Sequence, residues 1–124
     1  MNNNIVQIEE LDNIVYLSVL YDFYGELLTD SKKQMFEDYY LNDLSLAEIA
    51  KEQGISRQGV HDSVKRTAEE LKGYESRLSL MSKFQSVKNK LEEIDEISDI
   101  INKNKDIYLV NSIKELIKDI LKEL

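Results

Sequence analysis

The chain contains no cysteine and no proline among its 124 residues, only one histidine and only four glycines. Without cysteine, neither a disulfide framework nor a cysteine-ligated zinc site can form, and a cytoplasmic location is the expectation. Without proline nothing interrupts a helix from within, and the abundance of Leu, Ile, Lys, Glu and Asp favours helix over sheet. No apolar run approaches the roughly eighteen residues a spanning helix needs. The opening segment MNNNIVQIEEL has no basic stretch ahead of an apolar one, so neither membrane span nor signal peptide is expected. Also missing are a glycine-rich phosphate loop, a paired-histidine metal motif and a serine elbow. Neighbouring acids at Glu9-Glu10, Glu69-Glu70 and Glu92-Glu93 diverge on a helix instead of facing one substrate. These absences argue against an enzyme and call for no metal or cofactor.

Basic charge is scarce as well. The net charge is -8, and residues 1–30 carry six acids and no base. The rest is nearly balanced, and residues 56–66 alone reach +2 from Arg57, Lys65 and Arg66 against Asp62. A locally cationic segment on an acidic molecule permits phosphate contact but implies weak non-specific affinity for DNA.

That segment lies in the stretch around which the chain is organised, LSLAEIAKEQGISRQGVHDSVKR, residues 44–66. Ser45 and Glu48 have the spacing of a capping box: the hydroxyl takes the N–H three residues on, and the carboxylate reaches back to the N–H of Ser45. Leu44 and Ile49 bracket the cap as a hydrophobic staple. Gly54 can take a positive φ and stop the first helix. Ser56 opens the second, with Ile55 and Val60 as another staple pair, and Val60 and Val64 give it an inward face. Ala50, Gly54 and Val60 in this register, over so short a turn, make a helix-turn-helix.

Upstream, Leu11, Ile14, Val15, Leu17, Leu20, Phe23, Tyr24, Leu27 and Leu28 recur at helical spacing and predict a first helix buried as core, after a frayed Met1 to Asn4. Gly25 costs about 1 kcal/mol of helix propensity against alanine and marks a close helix contact. Thr29 or Ser31 caps the next helix, Ser31 with Gln34 in the box pattern, over Lys32 to Leu41. Downstream, the second helix of the motif runs to about Leu78, and Ser79 or Ser82 can cap a new one. From there Leu80, Phe84, Val87, Leu91, Ile94 and Ile101 form a near-heptad seam. After the polar connection Asn102 to Asp106, Val110, Ile113, Ile117, Ile120 and Leu124 form a second stripe. Two such stripes pack on each other, on the core, or across a homodimer. The reading favours a dimer through the C-terminal helices. The expected fold is therefore all-α: a helical core over residues 1–79 that contains the helix-turn-helix, then a helical extension over residues 80–124.

Candidate nucleic-acid contacts follow from position. Ser56, Arg57 and Gln58 start the second helix, where arginine pairs with guanine and glutamine with adenine; the alternative is a solvated helix start. His61 is a reader, a proton-sensitive group, or simply exposed. Lys65 and Arg66 are phosphate clamps, or surface charges paired with Glu69 and Glu70. Tyr39-Tyr40 and Tyr21, Phe23 and Tyr24 offer faces for base stacking, but among leucines at helical spacing they read as core.

Residues 20–80 resemble the YlxM family of helix-turn-helix proteins, whose central part is similar to region 4 of bacterial sigma factors. The resemblance rests on Asp22-Phe23-Tyr24-Gly25, Leu27-Leu28-Thr29, Tyr39-Tyr40, Ser45-Leu46-x-Glu48-Ile49-Ala50 and Gly54-Ile55-Ser56-Arg57-Gln58. The chain departs from it at Gly59, where the family more often has alanine, and in a longer tail beyond Asn102. The resemblance implies a small cytoplasmic bacterial protein that takes part in the signal recognition particle pathway. Its ligand there would be the particle's RNA or its GTPase. Two other readings stand beside it: a sequence-specific DNA-binding transcription regulator, and a protein-only interaction module whose acidic first thirty residues meet a basic partner.

Overall fold

A computed structural model describes the backbone over residues 2–104 and 107–124, and side-chain surroundings from Asp12 onward, except at 105 and 106. Met1, the side chain of Leu11, and Lys105-Asp106 of the polar connection lie outside the described residues. All regular structure among the described residues is helical, in two compact units, Met1–Ser79 and Leu80–Leu124.

In the first unit, α1 spans Asn2–Tyr24 and a 3₁₀ turn covers Gly25–Leu27. α2 spans Asp30–Phe36 and passes into a π-helical turn over Glu37–Leu41. α3 spans Leu46–Gln53 and α4 Arg57–Leu78. Both α1 and α2 pack on α4, and α3 crosses its beginning. The sequence left Asn2 to Asn4 outside the first helix, but α1 includes them. Its buried stripe is also narrower than periodicity implied. Leu17, Leu20 and Tyr24 are buried, one side of about two turns, while Ile14, Val15 and Tyr16 stay exposed.

Threonine, not serine, opens α2. Thr29 Oγ1 accepts from the Lys32 N–H at 3.3 Å, so the helix starts at Asp30 and the Ser31-Gln34 box does not form. The helix expected to run evenly to Leu41 widens instead. The Asn42 N–H bonds the Glu37 carbonyl at 2.8 Å, five residues back, and Leu44 N–H reaches the Asp38 carbonyl at 2.9 Å. Asp43 then takes a left-handed conformation, φ 55°. Within this widened turn Asp38 is buried. Its Oδ1 accepts from Gln34 and Asn42, while its Oδ2 has no hydrogen-bond partner among the described residues.

Aromatic rings connect the layers. Tyr21 stacks on Phe36 at 4.7 Å, Phe36 meets Tyr40 at 4.8 Å, and Tyr40 meets Tyr39 edge-on at 4.9 Å. Such contacts add about 0.5–1.5 kcal/mol each beyond the area they bury. Burial and the hydrogen bond to Glu37 hold the Tyr21 phenol well above the usual tyrosine range. The contact that Gly25 permits is with this same ring: a Cβ there would come within 3.0 Å of Tyr21. At the far end Tyr24 donates from its hydroxyl to Glu75 of α4.

In the second unit, α5 spans Leu80–Asn104, a 3₁₀ turn Ile107–Leu109, and α6 Val110–Glu123. Ser79 is the left-handed residue that ends α4, and α5 begins at the next residue. The two stripes pack on each other as a hairpin. Ser86 Oγ, early in α5, donates to Glu123 Oε1 at 2.8 Å, and Lys90 Nζ lies 3.2 Å from Glu123 Oε2, so the helices run antiparallel. Ile120 is buried there, but Phe84, Leu91 and Leu121 remain more than half exposed.

Candidate nucleic-acid interface

The motif forms where its caps and glycine require. Ser45 Oγ accepts from the Glu48 N–H at 3.1 Å, and the Glu48 carboxylate returns the contact to the serine hydroxyl at 3.0 Å, not to the Ser45 N–H as the box pattern implied. Gly54 is left-handed at φ 68°, and the Ile55 N–H bonds the Ala50 carbonyl at 3.1 Å, the six-to-one bond of a Schellman turn. Ser56 Oγ then accepts from the Gly59 N–H at 3.0 Å and starts α4. Met35, Ile49, Ala50, Val60 and Val64 make the core of the corner, with Leu44 and Leu46 packed on it. The Leu44-Ile49 staple is therefore closed. The Ile55-Val60 pair is not: Val60 is fully buried but Ile55 is 43% exposed.

Packing Val60 and Val64 inward leaves the remaining sides of the first turns of α4 facing out. Ser56, Arg57, Gln58, His61, Lys65 and Arg66 are all exposed. Arg57 makes no ion pair among the described residues. The alternative pairing of Lys65 and Arg66 with Glu69 and Glu70 is not formed. Glu69 is 3.9 Å from Lys72, and Glu70 is held by Lys32 at 3.0 Å and by the Tyr74 hydroxyl. Among the described residues Lys65 has no carboxylate partner, and Arg66 Nε donates to the Asp62 carbonyl at 3.3 Å.

Asp62 is the residue that sequence reasoning counted only as a negative charge. Its Oδ1 accepts from Gln58 Nε2 at 2.9 Å and lies 3.6 Å from His61 Nδ1. The Gln58 bond, with His61 and Arg66 adding, holds its carboxyl below the usual carboxylate range. The i, i+4 spacing from Gln58 was the available signal. Cationic side chains thus surround a carboxylate that organises two of the candidate readers.

The tyrosines divide. Tyr24 is buried as expected, but Tyr39 and Tyr40 are only partly so, and with Asn13, His61 and Lys65 they border a groove beside the reading face. Among the described residues no cluster of His, Asp and Glu is arranged to hold a metal, and no described helix is long and apolar enough to cross a membrane.

The family described as "Putative helix-turn-helix protein, YlxM / p13 like" matches residues 11–120. A UPF0122 protein of Thermoanaerobacter sp. is 42% identical over 110 residues, 88% of this chain and 94% of the relative. One from Caldanaerobacter subterraneus is 49% identical over 85 residues, 68% and 73% of the two chains. The UPF0122 protein YlxM of Bacillus subtilis is 46% identical over 87 residues, 68% and 79%.

Proposed function

This chain belongs to the YlxM / p13-like helix-turn-helix family, and we propose that it is a non-catalytic regulatory protein that binds nucleic acid through the first turns of α4. Ser56 fixes where the helix begins, Arg57 and Gln58 meet base edges, and His61, Lys65 and Arg66 face the sugar-phosphate backbone. The observation that carries this reading is the exposure of Arg57 and Lys65, without carboxylate partners among the described residues, on a molecule of net charge -8. In the cell the protein acts in the cytoplasm within the signal recognition particle pathway, on the particle's RNA or its GTPase; the family resemblance supports this. The test is a low-salt pull-down asking whether nucleic acid or a GTPase co-purifies, repeated with Arg57→Glu. Retention that survives the substitution removes this surface from the account.

The sigma region 4-like motif supports a second reading, a sequence-specific DNA-binding transcription regulator. It requires a preferred duplex site and affinity that falls steeply with salt. A protein-only module would retain no nucleic acid even at low salt. The exposed Phe84, Leu91 and Leu121 of the hairpin support a homodimer through α5 and α6, since large exposed apolar residues on paired helices mark association surfaces.

A further inference from the structure

Beside the reading face lie two adjoining hollows that share Asn13, Tyr39 and Tyr40. The first, about 190 Å³, is bordered by His61 and Lys65. Its other opposite charges, Glu69 and Lys72, lie 3.9 Å apart and offset each other, which leaves Lys65 as its cation without a carboxylate partner among the described residues. The second, about 410 Å³, is bordered by Asp43. The tyrosine pair thus stands between a cationic end and a carboxylate end.

Three irregularities converge on the same stretch: the π turn that carries both tyrosines, the buried Asp38 with one oxygen unbonded, and the left-handed Asp43. Each is unfavourable alone, and such features gather at functional sites. An even helix would have carried Tyr39, Tyr40 and Asp43 round to other directions.

We propose that this double hollow takes one unpaired guanine nucleotide of an RNA. The base lies against Tyr39 and Tyr40, its phosphate meets Lys65, and Asp43 accepts from the base edge. A carboxylate only accepts hydrogen bonds. Guanine presents two adjacent donors, N1–H and the N2 amino group, on its Watson–Crick edge, whereas uracil presents one. A paired, stacked base cannot reach such a pocket, so the ligand carries a bulge or loop, the usual target of sequence-specific RNA recognition. This inference rests on the nucleic-acid reading above and narrows it to RNA.

The test uses the full chain and three labelled RNA hairpins, followed by fluorescence anisotropy: one with a single bulged guanosine, one with a bulged uridine, one fully paired. The bulged-guanosine hairpin is expected to bind about tenfold tighter than either of the others. Asp43→Asn keeps a residue that tolerates the left-handed conformation and should erase the preference for guanosine over uridine, with affinity for the paired hairpin unchanged. Tyr39→Ala, with folding checked by circular dichroism, should lower affinity for both bulged hairpins alike; if that variant does not fold, Asp43→Asn decides alone. Equal binding of the three hairpins, or discrimination that survives Asp43→Asn, overturns the proposal. If equal binding is also abolished by Arg57→Glu, the broader reading stands and only the pocket falls. If no hairpin binds at all, the pocket falls, and the low-salt pull-down decides the broader reading.

Discussion

Gln58 Nε2 donates to Asp62 Oδ1 at 2.9 Å, one turn along the helix. The side chain best placed to read a base is thereby held by its own helix, and the carboxylate holding it lies within a cationic strip. Asp62→Asn should therefore raise nucleic-acid affinity severalfold at low salt, since one repulsive charge near the phosphates is removed. The gain should vanish as salt is raised. Equal affinity of variant and parent at both salt concentrations would show that phosphates do not approach this face.

Lys65 and Arg66 should each account for about one unit of the slope of log affinity against log salt, as phosphate contacts do. Lys65→Ala with Arg66→Ala should flatten that slope by about two. A slope that does not change places the phosphates elsewhere.

The three serine and threonine caps are separable. Ser45→Ala and Ser56→Ala should each cost about 1 kcal/mol in chemical denaturation, because each leaves an N–H of the motif without its side-chain acceptor. Thr29→Ala should cost less, as its bond is longer, 3.3 Å. In contrast, Gly73→Ala should stabilise by about 0.5–1 kcal/mol. It lies within α4, and a Cβ there would meet nothing nearer than Arg77 at 4.0 Å.

Acid should loosen the hairpin. Glu123 titrates below its ordinary value of 4.5, through the Ser86 hydroxyl first and Lys90 next. A lowered folded-state pKa contributes stability that is present above the unfolded value and lost as pH falls through the folded one. The thermal midpoint of α5 and α6, followed by circular dichroism on the full chain, should therefore drop as pH is lowered below 4.5, and Glu123→Gln should remove that part of the drop.

Sedimentation bears on the apolar surface of the second unit. If Phe84 and Leu121 meet a second copy, Leu121→Glu should convert a dimer to a monomer with little loss of helix content. A chain that sediments as a monomer at all concentrations rules the dimer out.

Much of this architecture was legible from residue spacing. Ser45, Gly54 and Ser56 act locally, through bonds to backbone groups no more than five residues away, and each did what its position implied, down to the helix ending at Leu78. Some failures were local, such as the Ser31-Gln34 box that gives way to the Thr29 cap; others were not. Periodicity along α1 shows which residues are apolar but not how many layers cover them, so Ile14 and Val15 were read as core. The π turn has no signature in spacing, because what distinguishes it from an α-helix is a single displaced bond, Asn42 to Glu37. The groove depends on that displacement, and so could not be foreseen from Tyr39-Tyr40 alone. Asp62 was visible but was tallied as a charge instead of being placed opposite Gln58.

The hydroxyl of Tyr24 ties α1 to Glu75, about five turns beyond the end of α4 that bears Arg57. A rod fastened that far back cannot pivot or slide at its tip without breaking a partly buried bond and disturbing the aromatic layer behind it. Adjustment during recognition therefore falls to the ligand, which must bring its own shape to a stiff surface. Selection among nucleic acids would then follow how readily each one bends or opens, rather than how well the protein adapts.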